Sequence, residues 1–316
     1  ASSGNTLELP SIPRKATVSD ATNMNDETNP TVYFSNPGKM SLVPYINIYL
    51  NGAVALRLDR SKGSYSSPYT WEITDEERQQ IRNACKNVNS AKYYIGFDSY
   101  SGSTSTGYSS VERTLTIINA TPVFENFEWE TTNYQDLTGD KQTIIKGFSS
   151  IKTIISDANK ALPKKEASIK SYQTVMGTKT KTNSTLTYPV ETTVNNVDGV
   201  TVSVFANDSR GLSTKIEKPV SKFIDLLPLS ITEMDVNRNP NNDEEVILNV
   251  EGTVDTTNFG LLTNTIDRSR YYYKIKGTND YIEGNTNLQF TYEQIKDNQY
   301  KFFVSQTIEG DIEEGF

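Results

Sequence analysis

The chain has 316 residues, a formal net charge of −8 and no histidine. That length accommodates two or three domains of about 100–150 residues each. The acidic balance, with no Lys/Arg stripe to reverse it locally, argues against a nucleic-acid partner. The missing imidazole removes the commonest general base, the usual serine and cysteine triads, and most zinc and iron sites.

Apolar residues make up 35% of the chain, mean hydropathy is −0.54, and 18 tyrosines stand against 2 tryptophans. A Thr-, Ser- and Asn-rich mixture of this kind suits many short strands with one wet face, so a mostly β chain is expected. Cys85 has no second cysteine to pair with, so the fold must stand without a disulfide and is compatible with a reducing cytoplasm. No apolar run approaches the ~20 residues of a membrane span, and ASSGNTLELP lacks the layout of a signal peptide. A start without methionine fits a fragment or a processed product.

Along the chain, VPYINIYLNGAVALRLDR (43–60) sets Asn51-Gly52 between alternating runs, a hairpin signal. A three-residue loop with a bulge at Gly52 would align Leu50, Ile48 and Ile46 with Val54, Leu56 and Leu58, and this register is preferred because it collects six apolar residues on one face. Thr74 and Glu77 then form a capping box for a short helix near 75–86, with Ile81, Ala84, Cys85 and Val88 at helical spacing. Cys85 reads as a buried small hydrophobe, there being no base to activate it. AKYYIGFDSY and VERTLTIINA read as strands, and SGSTSTGYSS between them as a loop.

A proline after a completed strand, in ATPVFENFEWE and again in KFIDLLPLSITEMDV, marks boundaries near 120 and 227. In the last block Val246, Leu248 and Val250 share one face, as do Tyr271, Tyr273 and Ile275, while Thr291 and Gln294 repeat the capping-box spacing. The expected organisation is a linker at 1–14, a first β-sandwich at 15–119, an immunoglobulin-like sandwich at 120–226 and a third, incomplete sandwich at 227–316. The class is all-β, tandem immunoglobulin-like or fibronectin-III-like sandwiches with short helical turns.

No Gly-rich phosphate loop, CxxC pair or HExxH occurs, so no catalytic residue, cofactor or metal is assigned. The carboxylate pairs Glu76/Glu77 and Glu313/Glu314 read as solvated faces or tails rather than glycosidase pairs. In DVNRNPNNDEE (235–245), Asp235, Asn237, Asn239, Asp243 and Glu244 are hard oxygen donors that calcium favours. The EF-hand glycine and terminal glutamate are absent and Pro240 intervenes, so a polar loop is the preferred reading. Tyr272 and Tyr94 are the expected exposed members of their tyrosine runs, suited to stacking on sugars or to a protein interface. In VTVSVFANDSRGLSTKIEKPV (200–220), Asn207, Asp208 and Gly211 make a tight turn, with Asp208 and Arg210 fixing it through backbone hydrogen bonds or a mutual ion pair. The competing reading makes Asp208 and Arg210 a recognition pair.

VTVSVFANDSRGLST, the join IDLLP and SITEMDVNRN together resemble the immunoglobulin-like modules in tail proteins of long-tailed bacteriophages of Gram-positive hosts. LELPSIPRKATVSD is similar to the linker that opens this region in such proteins, with Pro10, Ile12, Pro13 and Arg14 in matching places and Lys15 where a small residue is usual. IIKGFSSIKTIIS with ASIKSYQTVMG resembles the second module, and GLLTNTIDRSRYYYKIKG the third. The resemblance implies a structural component of a tail tip, baseplate or fibre, located in the virion tail and assembled in the host cytoplasm. Its implied partners are other tail proteins, further copies of itself and a host-surface glycan or protein, with no membrane. A bacterial surface adhesin or stalk, and a carbohydrate-binding module of a cell-wall hydrolase, are the alternatives.

Overall fold

The computed structural model describes residues 14–309 except 243, 267–268, 275–276, 278 and 285–286. Short strands dominate, and the apolar residues of three successive stretches gather into three separate cores. The first draws on residues from Ala16 to Ala120, the second from Phe124 to Ala206 and the third from Leu248 to Val304.

In the first core a five-stranded sheet, ordered Met24–Asn25, Thr104–Thr116, Ser90–Ser101, Ser41–Leu50 and Ala53–Asp59, faces a three-stranded one of Thr17–Ala21, Thr31–Ser35 and Tyr69–Thr70. Alternation sends Ile46, Ile48, Tyr93, Ile95 and Phe97 inward, against Val32, Phe34 and Trp71. The helix Asp75–Ala84 starts at the reciprocal Thr74/Glu77 capping box and lays Ile81 and Cys85 into the same core. The Arg60 guanidinium lies over the Trp71 ring at 4.1 Å and pairs with Glu77, so one arginine ties the helix start to the core edge.

Two local expectations are corrected here. The hairpin closes with a two-residue loop: Asn51 and Gly52 both have positive φ (51° and 81°), and Leu50 pairs with Ala53, not Val54. Ile48 and Ile46 still meet Leu56 and Leu58, because Ala55 is the extra residue of a bulge that restores the register. The tight turn matches strand twist, and the bulge sits at Ala55 rather than Gly52, leaving Val54 exposed. Likewise SGSTSTGYSS is not a loop: both strands run on through it and turn at Gly102 and Ser103, since alternating Thr and Ser fill an outward-facing ladder as readily as a loop.

In the second unit three strands, Glu128–Thr131, Ile151–Ile155 and Val190–Val194, face four, ordered Lys179–Asn183, Ile169–Met176, Thr201–Asp208 and Ser213–Pro219. This three-against-four order, with the chain crossing between sheets after 155, 183 and 194, is the immunoglobulin-like sandwich. Its core includes Phe127, Trp129, Ile151, Tyr172, Met176, Val202 and Val204.

The third unit is a four-stranded antiparallel sheet, ordered Ser230–Arg238, Glu245–Asp255, Gln299–Glu309 and Thr291–Lys296, with a two-stranded pair of Tyr272–Lys274 and Tyr281–Glu283. Leu248 and Val250 share the buried face and are covered by Ile266, Tyr271, Leu288 and Phe290. Ile275 lies outside the described residues. Thr291 and Gln294 do not cap a helix: both belong to a strand that turns at Asp297 and pairs with Gln299–Glu309, and the Thr291 hydroxyl donates to the Phe303 carbonyl. Tyr292 and the following FFV strand, rich in aromatic and β-branched residues, override the cap spacing.

Candidate functional site

The Asn207–Gly211 turn ends the strand Thr201–Asp208, and its local geometry is that of a turn. Asp208, almost fully buried, accepts through Oδ1 from the N–H groups of Arg210 (2.9 Å) and Leu212 (2.8 Å), while Gly211 takes φ +81°. Ser209 and Ser168 exchange hydrogen bonds, tying the turn to the preceding loop.

Arg210 goes further than the turn needs. Arg210 is 8% exposed; among the described residues its guanidinium does not bond Asp208, whose Oδ2 accepts no hydrogen bond. Nε donates to the Cys85 carbonyl (3.0 Å) and Nη2 to that of Arg82 (3.4 Å), both at the C-terminus of the Asp75–Ala84 helix in the first sandwich. Nη1 donates to the Lys164 carbonyl (2.9 Å), and Nη2 also to that of Lys165. The last carbonyls of a helix lack intrahelical partners and carry the negative end of its dipole, so a cation with a planar fork of donors suits them. Burial is the main cause lowering the pKa of Arg210, partly offset by Asp208.

Lys165, with φ 52° in a left-handed turn, reaches back across the same junction. Its Nζ donates to Asp26 Oδ2 (2.8 Å) and to Glu27, and Arg82 Nε donates to the same Asp26 oxygen (2.6 Å). Asp26 has a fully buried side chain, and its Oδ1 accepts from the Ile118 N–H. Burial alone would raise its pKa, but the bonds from Lys165, Ile118 and Arg82 outweigh that and hold the carboxyl below the usual range. The Ser209 hydroxyl donates to the Lys86 carbonyl, Thr214 to that of Pro122, and Leu212 packs on the first core. The first two sandwiches are thus joined by a buried polar lock around Arg210 and Asp26.

Cys85 lies under this lock, fully buried, and burial pushes its thiol up to about 11. A raised thiol pKa keeps the nucleophilic thiolate scarce at neutral pH. Native protein at pH 8 is therefore expected to leave an aromatic disulfide reagent unreacted until denaturant is added. Prompt stoichiometric reaction of the native chain would contradict the packing.

A second junction is built differently. Ile145 and Ile224 of the second unit meet Phe259 of the third, with Leu137 and Leu226 at the margin. The Leu261 N–H donates to the Leu137 carbonyl (2.9 Å), and Leu227 N–H to Asp255 Oδ2 (3.1 Å). Gly260, at φ +137°, passes so close that a Cβ there would stand 2.2 Å from the Thr138 carbonyl oxygen. Gly260→Ala is expected to cost about 1–3 kcal/mol through backbone strain, with added displacement of the joint. Amide exchange at Leu261 and Leu227 should accelerate, and unchanged exchange would refute the close contact.

The other sequence candidates disperse. Glu77 is engaged with Arg60 and the Thr74 N–H; burial alone would raise it, and those bonds hold its pKa low. Glu76 stands at the exposed start of the same helix, and Glu313 and Glu314 lie outside the described residues. Asp235 and Asn237 sit on an exposed strand and bond each other. Asn239 bonds Glu245 and the Asn241 N–H, Glu244 donates its N–H to Asn242, and Asp243 lies outside the described residues. Tyr272 is exposed at 58%. Tyr94 is half-buried, edge-on to Tyr49 at 4.9 Å, with its hydroxyl on Glu112. Pro10, Ile12 and Pro13 precede the described residues. Lys165, Asp26 and Arg82 were not singled out in the sequence, and nothing local marks them.

No protein-family profile matches the chain, and no curated protein sequence matches it. Among solved structures, the fibronectin(III)-like modules of CbhA from Clostridium thermocellum are similar, with 15% identity over 66% of this chain and 94% of that one, and a TM-score of 0.25.

Proposed function

We propose that the chain is a structural component of a bacteriophage tail tip, baseplate or fibre, a spacer that acts through assembly contacts and in host attachment. The observation that carries this reading is the Arg210 lock, in which a buried guanidinium fixes one sandwich on the helix end of the one before it. A spacer needs such joints, because consecutive domains with small polar contacts swing relative to each other. Enzymes instead bring titratable groups together in a cleft. Among the described residues no three or more acidic, cysteine or histidine side chains are arranged to hold a metal ion, and the cleft beside Thr178–Lys181 and Thr193–Asn195 is lined mostly by threonine and lysine.

The partners in this reading are neighbouring tail proteins and further copies of the chain. Immunogold electron microscopy, with an antibody to this chain applied to phage particles and to cells of the source strain, tests it. Gold at the distal end of tails is the expected result; gold on cell surfaces with bare tails would overturn it in favour of an adhesin or stalk.

A further inference from the structure

The third unit leaves part of its inward face bare. Ile231, Met234 and Val236 lie on the edge strand Ser230–Arg238, directly opposite Gly252, Val250 and Leu248. Leu248 and Val250 are buried, so their cross-strand neighbours share the core face. Yet Ile231 is 63%, Met234 67% and Val236 46% exposed. Among the described residues, Ile266, Tyr271, Leu288 and Phe290 pack on the core of the sheet and leave these three side chains exposed.

The strand is also unpaired along its outer edge among the described residues, guarded only by Glu233, Asp235, Arg238 and one irregularity. Edge strands ordinarily carry lysine, proline or bulges that discourage pairing. The four-stranded sheet of the second unit follows this rule: its outer strands are Lys179–Asn183, with Lys179 and Lys181, and Ser213–Pro219, with Lys215, Lys218 and Pro219. Ala53–Asp59 of the first unit has Arg57, Asp59 and the bulge at Ala55. Ser230–Arg238 has nine residues, contains neither lysine nor proline, and pairs along its outer edge with no strand among the described residues; one irregularity interrupts it near Thr232.

Charge selects the occupant. The opposite face of this sheet carries Glu233 and Asp235 on the edge strand, with Glu251 and Glu293 behind them and Lys301 bonded to Glu251. A second copy is poorly matched. Antiparallel self-pairing over the full strand, centred on Met234, sets Glu233 against Asp235, and a shift by one residue either way opposes an acid to itself; like charges directly across a ladder destabilise it, and a register free of them, centred on Val236, pairs only residues 234–238. We propose that Ser230–Arg238 receives an extended strand from another protein, one with lysine or arginine on the side facing Glu233 and Asp235 and apolar residues continuing the Ile231–Met234–Val236 face. Backbone pairing would supply affinity and the alternate side chains specificity. The inference stands apart from the tail reading, because it rests on this edge alone.

The probe is a capped nine-residue peptide alternating valine and lysine, compared with its valine–glutamate counterpart, titrated into the full chain with amide exchange followed by mass spectrometry. The lysine peptide is expected to bind and slow exchange within 230–238, and the glutamate peptide to leave it unchanged. The double variant Glu233→Lys/Asp235→Lys, which alters only exposed side chains, should weaken the lysine peptide roughly tenfold and admit the glutamate peptide. Protection elsewhere, binding indifferent to the charge reversal, no binding of either peptide, or concentration-dependent dimerisation through 230–238 would each overturn the proposal.

Discussion

Arg210→Ala is expected to cost about 3–5 kcal/mol, more than the loss of any one hydrogen bond, because it strands four carbonyls at once, that of Cys85 buried and the others part-buried, and removes a buried cation. Those carbonyls belong to Arg82 and Cys85 on one side of the joint and to Lys164 and Lys165 on the other. Arg210→Lys keeps the charge but replaces a planar fork with a point donor, so it should recover roughly half of the loss. The two tryptophans report on the two sides, Trp71 in the first core and Trp129 in the second. Their denaturation transitions should coincide in the parent chain and separate in the alanine variant, while Cys85 gains reactivity toward thiol reagents. An alanine variant with one transition, parental stability and a silent thiol would show that Arg210 decorates the joint without holding it.

Asp26 sets the second large effect. Removing its carboxylate with Asp26→Ala leaves Arg82 without its buried counter-charge and Lys165 with Glu27 alone, and is expected to cost about 3–5 kcal/mol. The pH dependence has a definite sign. The folded pKa lies below the unfolded one, so the contribution of Asp26 is present above the ordinary carboxylate pKa of about 4 and drains away as the pH falls through the lower folded value. Between pH 7 and 5 this group should leave stability flat; below about pH 4 the joint should loosen. Asp26→Asn should lower stability at pH 7 and flatten the acid limb. An acid limb unchanged in that variant would assign acid sensitivity to other carboxylates.

Where the sequence could be read, the deciding signal was local. Thr74 and Glu77 stand three residues apart, and the helix they cap is there. Asn51-Gly52 marked its hairpin, although an extra residue at Ala55, invisible to a loop-length argument, reset the register. The same spacing at Thr291 and Gln294 misled, because pairing with the 299–309 strand outweighs a cap that costs about 1 kcal/mol to lose. Asp208 was legible as a turn residue for the same local reason. Arg210 was only half legible: its acceptors Arg82 and Cys85 lie 128 and 125 residues away and are main-chain atoms, which leave no trace in residue type. Nor could composition show that Ile231, Met234 and Val236 would share a face and stay exposed at an edge, because an irregularity near Thr232 brings Ile231 into line.

The Arg210 fork grips oxygens that every amino acid carries. Substitutions that preserve the local backbone therefore leave these acceptors in place, but Arg82 and Lys165 also hold Asp26 through their side chains and Cys85 packs in the first core, so of the four acceptor positions only 164 is free to drift, while 210 is not. A module ending its helix at the same height and offering an acid in the place of Asp26 would seat the Asn207–Gly211 turn with few other side-chain requirements. Such a coupling is interchangeable in the mechanical sense: units can be replaced one at a time without redesigning the connection between them.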